Sequence, residues 1–112
     1  MMQTIDIIDF QKVDIRIGTI IEAKEFSRAI KPSYQLFIDL GPLGIKKSSA
    51  QITDLYSCES LIGKQVVCIC NLKPRQIANF ISEVLVTGFS NENGEIVLAA
   101  VDQPVENGTK LH

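Results

Sequence analysis

Tryptophan is absent, histidine occurs once, as the terminal His112, and the 112 residues include only two tyrosines and three cysteines. Without an internal histidine, neither Cys58 nor any serine has the base that nucleophilic catalysis needs beside it. Asp54 and Glu59 carry no sign of the cleft that would make them an acid–base pair. No phosphate-cradling glycine loop occurs. The residues therefore predict a protein that is not an enzyme and carries neither cofactor nor metal. Cys58, Cys68 and Cys70 are odd in number and lack the spacing of a disulfide framework, as expected in a reducing compartment. Cys68 and Cys70 lie in a β-branched run and are expected as buried, inert thiols. No apolar run approaches the roughly 20 residues of a membrane-spanning helix, and the first residues lack the cationic-then-apolar pattern of a secretory signal. The expected setting is the cytoplasm, without membrane insertion.

A strong excess of positive charge is missing too. Eleven basic against 13 acidic residues leave a net charge of −2, which argues against indiscriminate polyanion binding. The cations are nevertheless clustered. Arg28 with Lys31, Lys46 with Lys47, and Lys73 with Arg75 account for six of the eleven, so a local basic patch remains possible in an acidic chain.

What is present is strand pattern. Hydrophobic residues make up 46% of the chain, enough for one core, and residues 1–112 are expected to form one domain. Val13 to Lys24 alternates, with Val13, Ile15, Ile17, Thr19, Ile21 and Ala23 inward and only Ile20 breaking the polar face. Gly18, on the outward face, predicts a bend or a close backbone approach. Tyr34 to Leu40 alternates again, with Tyr34, Leu36, Ile38 and Leu40 inward. Gly41-Pro42-Leu43-Gly44 is a turn into a polar strand, Ile45 to Ala50, whose wet face would carry Lys46, Lys47, Ser48 and Ser49. Ile52, Leu55 and Tyr56 have helical spacing, and Gly63 caps a short turn over Glu59 to Ile62. Gln65 to Cys70 is apolar on both faces and should be central. Asn79 is expected in a left-handed turn, and Ser82–Gly88 with Glu95–Val101 as a hairpin around Asn93-Gly94.

About five strands with one helical insert between the third and fourth is the order of an OB-fold, a five-stranded Greek-key barrel that binds chain-like ligands. The expected fold is thus all-β with short helices, flanked by an N-terminal helical arm (residues 1–12) and a C-terminal extension (101–112). In the arm, Ile5 to Phe10 reads as a short helix capped by Thr4. Ile5, Ile7, Ile8 and Phe10, together with Val101, Val105 and Leu111 of the extension, are too apolar to remain in water. Either they close the ends of one barrel or a two-fold interface covers them.

Asn71-Leu72-Lys73-Pro74-Arg75 stands out because Pro74 cannot donate to a sheet ladder and so marks a strand end or an edge. Lys73 and Arg75 then lie at the barrel rim, where they could hold a phosphate or a peptide carbonyl, or could form only a solvated turn.

Val13-Asp14-Ile15-Arg16-Ile17-Gly18, Leu61-Ile62-Gly63-Lys64 and Asn71 to Arg75 together resemble the tRNA-binding domain family, over nearly the whole chain from about Phe10. Lys31-Pro32-Ser33-Tyr34, Gly44 to Thr53 and Ser82 to Val86 look like its CsaA branch of export-related bacterial chaperones. The tRNA-binding branch has Ser-x-Gly-Met where this chain has Ser82-Glu83-Val84-Leu85. The resemblance implies an OB-fold homodimer sealed by the arm and the extension, with Asn71, Lys73, Arg75 and Ser82 on the ligand face.

Two ligands follow. For an unfolded preprotein or peptide, Ser48, Ser49, Gln51, Asn71 and Ser82 would bond its main chain, and Tyr34, Phe37 and Phe80 would offer apolar contact. Lys46, Lys47, Lys73, Arg75, Arg28 and Lys31 would attract acidic segments. For tRNA the same cations would meet phosphates, with Tyr34 or Phe37 stacking on bases. Tyr34, Phe37 and Phe80 each read also as core, Phe80 above all, and Lys46-Lys47 as a guarded strand edge. The expected role is chaperoning of export-bound chains, with tRNA binding as the alternative and the export machinery as a further candidate partner.

Overall fold

The most regular alternation in the chain makes its most regular strand. In the computed structural model, which describes residues 1–112, the elements are α1 (Ile7–Gln11), β1 (Ile15–Glu25), β2 (Tyr34–Asp39), β3 (Ile45–Ala50), α2 (Cys58–Leu61), β4 (Gln65–Ile69), β5 (Arg75–Ile77), β6 (Phe80–Ser82), β7 (Leu85–Val86), β8 (Gly88–Ser90) and β9 (Ile96–Leu98). β2 buries Tyr34, Leu36 and Ile38 and leaves Gln35, Phe37 and Asp39 half-buried. It pairs antiparallel with β1 on one side and β3 on the other. β4 adds to the far side of β1 and β7 to β4, giving the order β3-β2-β1-β4-β7. The result is a nearly closed five-stranded antiparallel OB-type barrel with α2 between its third and fourth strands, as the pattern predicted. Ile20, Leu36, Ile38, Leu40, Leu61, Val66 and Cys68 are fully buried inside it. Each such aliphatic side chain contributes about 1.5–3 kcal/mol on leaving water.

β1 differs from its expected phase. Its register slips between Ile20 and Glu22, so Ile21 is an extra residue that bulges out and is exposed. A bulge of one residue exchanges the two faces of a strand. Ile20 is therefore in the core, and Thr19 and Ile21 are not. Gly18 faces inward, not outward: a Cβ there would lie 2.5 Å from Ile38 Cγ2 and 2.8 Å from Leu40 Cδ2. The glycine lets β1 close on β2 without displacing either side chain.

Smaller corrections follow from local bonding. α1 begins two residues later than expected, after Asp6 rather than Thr4, and Asp6 makes no side-chain cap bond. Residues 53–55 form a turn and not a helix. α2 begins at Cys58 because Ser57 and Ser60 form a reciprocal capping box, and Gly63 (φ +89) follows it as predicted. Between β5 and β6 the left-handed residue is Ala78 (φ +51), not Asn79. The expected strand Ser82–Gly88 is three pieces: Ser82 ends β6, and β7 and β8 follow separately. β8 and β9 pair around Gly94, where Asn91 Oδ1 accepts the N–H groups of Asn93 and Glu95 at 2.9 and 3.0 Å.

The C-terminal extension runs along the first part of β1. Ile17 N–H donates to Thr109 O at 3.0 Å, Gly108 N–H to Ile17 O at 2.7 Å, and Leu111 N–H to Ile15 O at 2.9 Å. Gln65 anchors it further, bonding both Val105 O (2.6 Å) and Val105 N–H (3.0 Å) through its side-chain amide. Ile5, Ile7 and Ile8 are about two-thirds exposed, and Phe10, Val105 and Leu111 are exposed as well. In the single chain, then, these residues do not close the barrel ends. Two depressions lie among them: one of mixed character, where Ile7, Phe10, Val13, Ile15 and Leu111 meet Gln11, Lys12, Asp14, Asn71 and Lys110, and a mostly apolar one framed by Ile15, Ile17, Val67, Val101 and Val105.

Candidate ligand-binding face

The barrel has a seam between β3 and the β6–β7 segment, and the β3 side of it is polar. No backbone ladder joins the two sides; β3 pairs only with β2. Two side chains and one main-chain carbonyl replace the ladder. Glu83 Oε1 accepts the Lys47 N–H at 3.0 Å, Ser82 Oγ accepts the Ser49 N–H at 3.1 Å, and Lys47 O accepts the N–H groups of Glu83 and Val84 at 2.8 and 3.3 Å.

Two adjoining depressions open along this seam. The smaller, about 160 Å³, is lined by Ser49, Lys73, Arg75, Ser82 and Glu83 with apolar Leu72, Ile77, Val84 and Leu85. The larger is a trough of about 760 Å³. One of its walls is the run Ser49 to Asp54 and the other is Leu85 to Gly88, with Lys31, Arg75 and Ile96 at its margins. Ser49, Arg75 and Leu85 line both. Six of the residues singled out from the sequence therefore meet on one face: Lys31, Ser49, Gln51, Lys73, Arg75 and Ser82. Lys73 and Arg75 are exposed on either side of Pro74, at the entry to β5.

Other candidates lie elsewhere. Ser48 is fully buried, since strand alternation turns Ser48 and Ala50 inward and Ser49 outward, while Lys46 and Lys47 are half-buried and line neither depression. Tyr34 is buried and donates its hydroxyl to Tyr56 O at 2.7 Å, so it offers no free aromatic face. Phe80 is buried, with ring centroids 5.4 Å from Phe26 and 6.3 Å from Phe37, and Lys47 Nζ sits 5.2 Å above it. Arg28 is exposed in the loop before β2 and lines neither depression. Asn71 is occupied in a backbone clamp: Oδ1 accepts the Asp14 N–H at 2.9 Å and Nδ2 donates to Lys12 O at 2.7 Å.

Thr53, Asp54, Leu85, Val86, Thr87, Gly88 and Ile96 also line the trough, and none of them carries a binding signal in the sequence. They come from separate parts of the chain, and no local pattern joins them. No aromatic residue lines either depression.

The thiols are not poised for chemistry. Burial pushes Cys68 up to about 12 and raises Cys58 and Cys70 as well, which disfavours the reactive thiolate. No group of three or more His, Cys, Asp or Glu is placed to share a metal ion.

A small antiparallel barrel with a polar, cation-edged trough on its seam defines an OB-type binding domain. Residues 15–110 match the family described as "Putative tRNA binding domain", and the chain belongs to that family. It is similar to the crystal structure of the chaperone CsaA from Bacillus anthracis, with 45% identity, coverage of 98% of this chain and 100% of that one, and a TM-score of 0.92. It is similar as well to the CsaA chaperone of Picrophilus torridus, with 46% identity, coverage of 97% and 100%, and a TM-score of 0.91. A methionine–tRNA ligase of Methanocaldococcus jannaschii is 33% identical over 98% of this chain, which spans only 17% of that enzyme's length.

Proposed function

We propose that the protein is a cytoplasmic, homodimeric chaperone of the CsaA type that binds unfolded preprotein or peptide segments in the seam trough and performs no catalysis. The observation that carries this reading is the lining of that trough. Main-chain-directed polar groups (Ser49, Gln51, Thr53) face partly apolar residues (Leu85, Val86, Ile96), with Lys31 and Arg75 at the edge. Sequence-tolerant peptide binding needs main-chain contacts plus adaptable apolar surface. The whole-length likeness to two chaperones points the same way.

The exposed apolar residues of α1 and the extension support the dimer. Ile5, Ile7, Ile8, Phe10, Val105 and Leu111, with the half-buried Val101, would be covered in a two-fold contact. Ile8→Asp should then give a monomer in sedimentation equilibrium.

A second reading, tRNA binding on the same face, has its own support in the family match and in Lys31, Lys73 and Arg75. Single-stranded bases are held chiefly by stacking on aromatic rings, and the absence of aromatic residues from the trough ranks this reading second.

The test is binding of a chemically unfolded, fluorescently labelled protein to wild type and to the Lys73→Ala/Arg75→Ala variant. A loss of roughly tenfold in the variant supports this face as the site, since each charge-assisted contact contributes about 1–3 kcal/mol at most. Unchanged affinity would place the site elsewhere.

A further inference from the structure

We infer that the trough captures its peptide by strand addition to the outer edge of β3, from the carbonyl of Ser49 to the main chain of Gln51. This rests on the peptide-binding reading above and specifies how that site works.

In β3 the even residues face their β2 partners, so the main-chain groups of the odd residues point outward across the seam. At Lys47 both groups are satisfied, N–H by Glu83 and C=O by Glu83 and Val84. At Ser49 the N–H is satisfied by Ser82. There the partners end. The Ser49 carbonyl has no partner across the seam, and neither main-chain group of Gln51 is paired within the chain.

The trough opens where the pairing stops, because its near wall is Ser49 to Asp54. An unpaired edge is a template for another strand. Its groups retain their water only until something better aligned arrives, and an extended peptide supplies a donor and an acceptor at the same spacing.

The surroundings select the occupant. Leu85, Val86 and Ile96 on the opposite side give apolar contact to one face of an added strand. Lys31 and Arg75 outnumber Asp54 among the charged residues lining the trough. The fitting ligand is an extended segment of an unfolded protein, with alternating apolar residues and a carboxylate near the cationic end.

Hydrogen exchange at the Gln51 amide, read by NMR during titration with the heptapeptide Thr-Val-Glu-Val-Thr-Val-Ser, tests this directly. Strand addition slows exchange at Gln51 several-fold as the peptide binds. N-methylation of alternate peptide residues then separates two sets: one methylated form loses at least about tenfold in affinity and the other binds as the parent. Gln51→Pro, which lacks the donor, loses binding to a similar extent.

Peptide binding with unchanged Gln51 exchange and equal tolerance of both methylation sets overturns strand addition while the chaperone reading stands. If neither the heptapeptide nor a chemically unfolded protein binds the wild type, that reading falls and the inference with it. Slowing of Gln51 exchange by raised protein concentration alone makes a second copy of this chain the occupant and overturns the inference.

Discussion

Ser82 accepts the main-chain N–H of Ser49 through its hydroxyl, at 3.1 Å, across a seam that has no backbone ladder. One side chain thus does the work of a strand pair at the point where the barrel closes. Ser82→Ala leaves that N–H without its partner and should cost about 1 kcal/mol in urea-induced unfolding. Ser82→Thr keeps the hydroxyl and should recover most of the loss.

Asn71 is tied to the start of β1 through Asp14 and Lys12, on the side of α1 and away from the trough. Asn71→Ala removes both bonds and is expected to destabilise the fold by about 1–2 kcal/mol. Peptide affinity, measured well below the unfolding midpoint, should change less than twofold. A large loss of affinity with unchanged stability would return Asn71 to the ligand face.

Ala78 occupies a left-handed backbone conformation between β5 and β6. That conformation costs an L-residue about 1–2 kcal/mol, while glycine adopts it freely at an entropic cost of roughly 0.5–1 kcal/mol. Ala78→Gly should therefore raise stability slightly, by about 0.5–1 kcal/mol. Ala78→Val should lower it, because branching at Cβ worsens the clash. Thermal unfolding of the two variants gives the sign.

The Arg16 guanidinium, hydrogen-bonded to Asp14 at 2.8 Å, holds the Asp14 carboxyl below the usual carboxylate range. A depressed folded-state value means that the stabilisation is present above the unfolded-state value of about 3.9 and is lost as pH falls through the lower folded one. Asp14→Asn should flatten the acid limb of the stability curve below about pH 4 and leave its shape near neutrality unchanged. Urea titrations at closely spaced pH values would detect the difference.

Alternation located β2, the turn before a polar run located β3, and a continuous apolar run located β4; none of the three slips in phase. Alternation failed at Ile20 and Ile21, where one bulged residue exchanged inside and outside with nothing in the composition to announce it. Gly18 signalled a close approach correctly but on the wrong face for the same reason. Asn79 is the residue type expected in a left-handed turn, yet the tight β5–β6 register places Ala78 there.

The cations at Lys73 and Arg75 were legible from Pro74 between them. Ser48 and Ser49 look alike in sequence, and only strand phase separates the buried one from the one on the trough. Leu85, Val86 and Ile96 reach the trough through the breaks that divide the expected strand Ser82–Gly88 and through the hairpin beyond it. Those placements depend on how Glu83 and Val84 bond to Lys47, and no local pattern encodes them.

A chaperone trough on this seam prefers unfolded polypeptide to tRNA under the proposed function. Parallel anisotropy titrations of a labelled unfolded protein and a labelled tRNA, each across a salt series, test it most directly. A few phosphate contacts lose affinity steeply with salt, in proportion to the counterions released. The expected result is that tRNA binding is lost by about 0.15 M salt, where surface charges are screened beyond roughly 8 Å, while polypeptide binding persists. Tight tRNA binding at that salt with a steep log–log slope, alongside weak polypeptide binding, would contradict it.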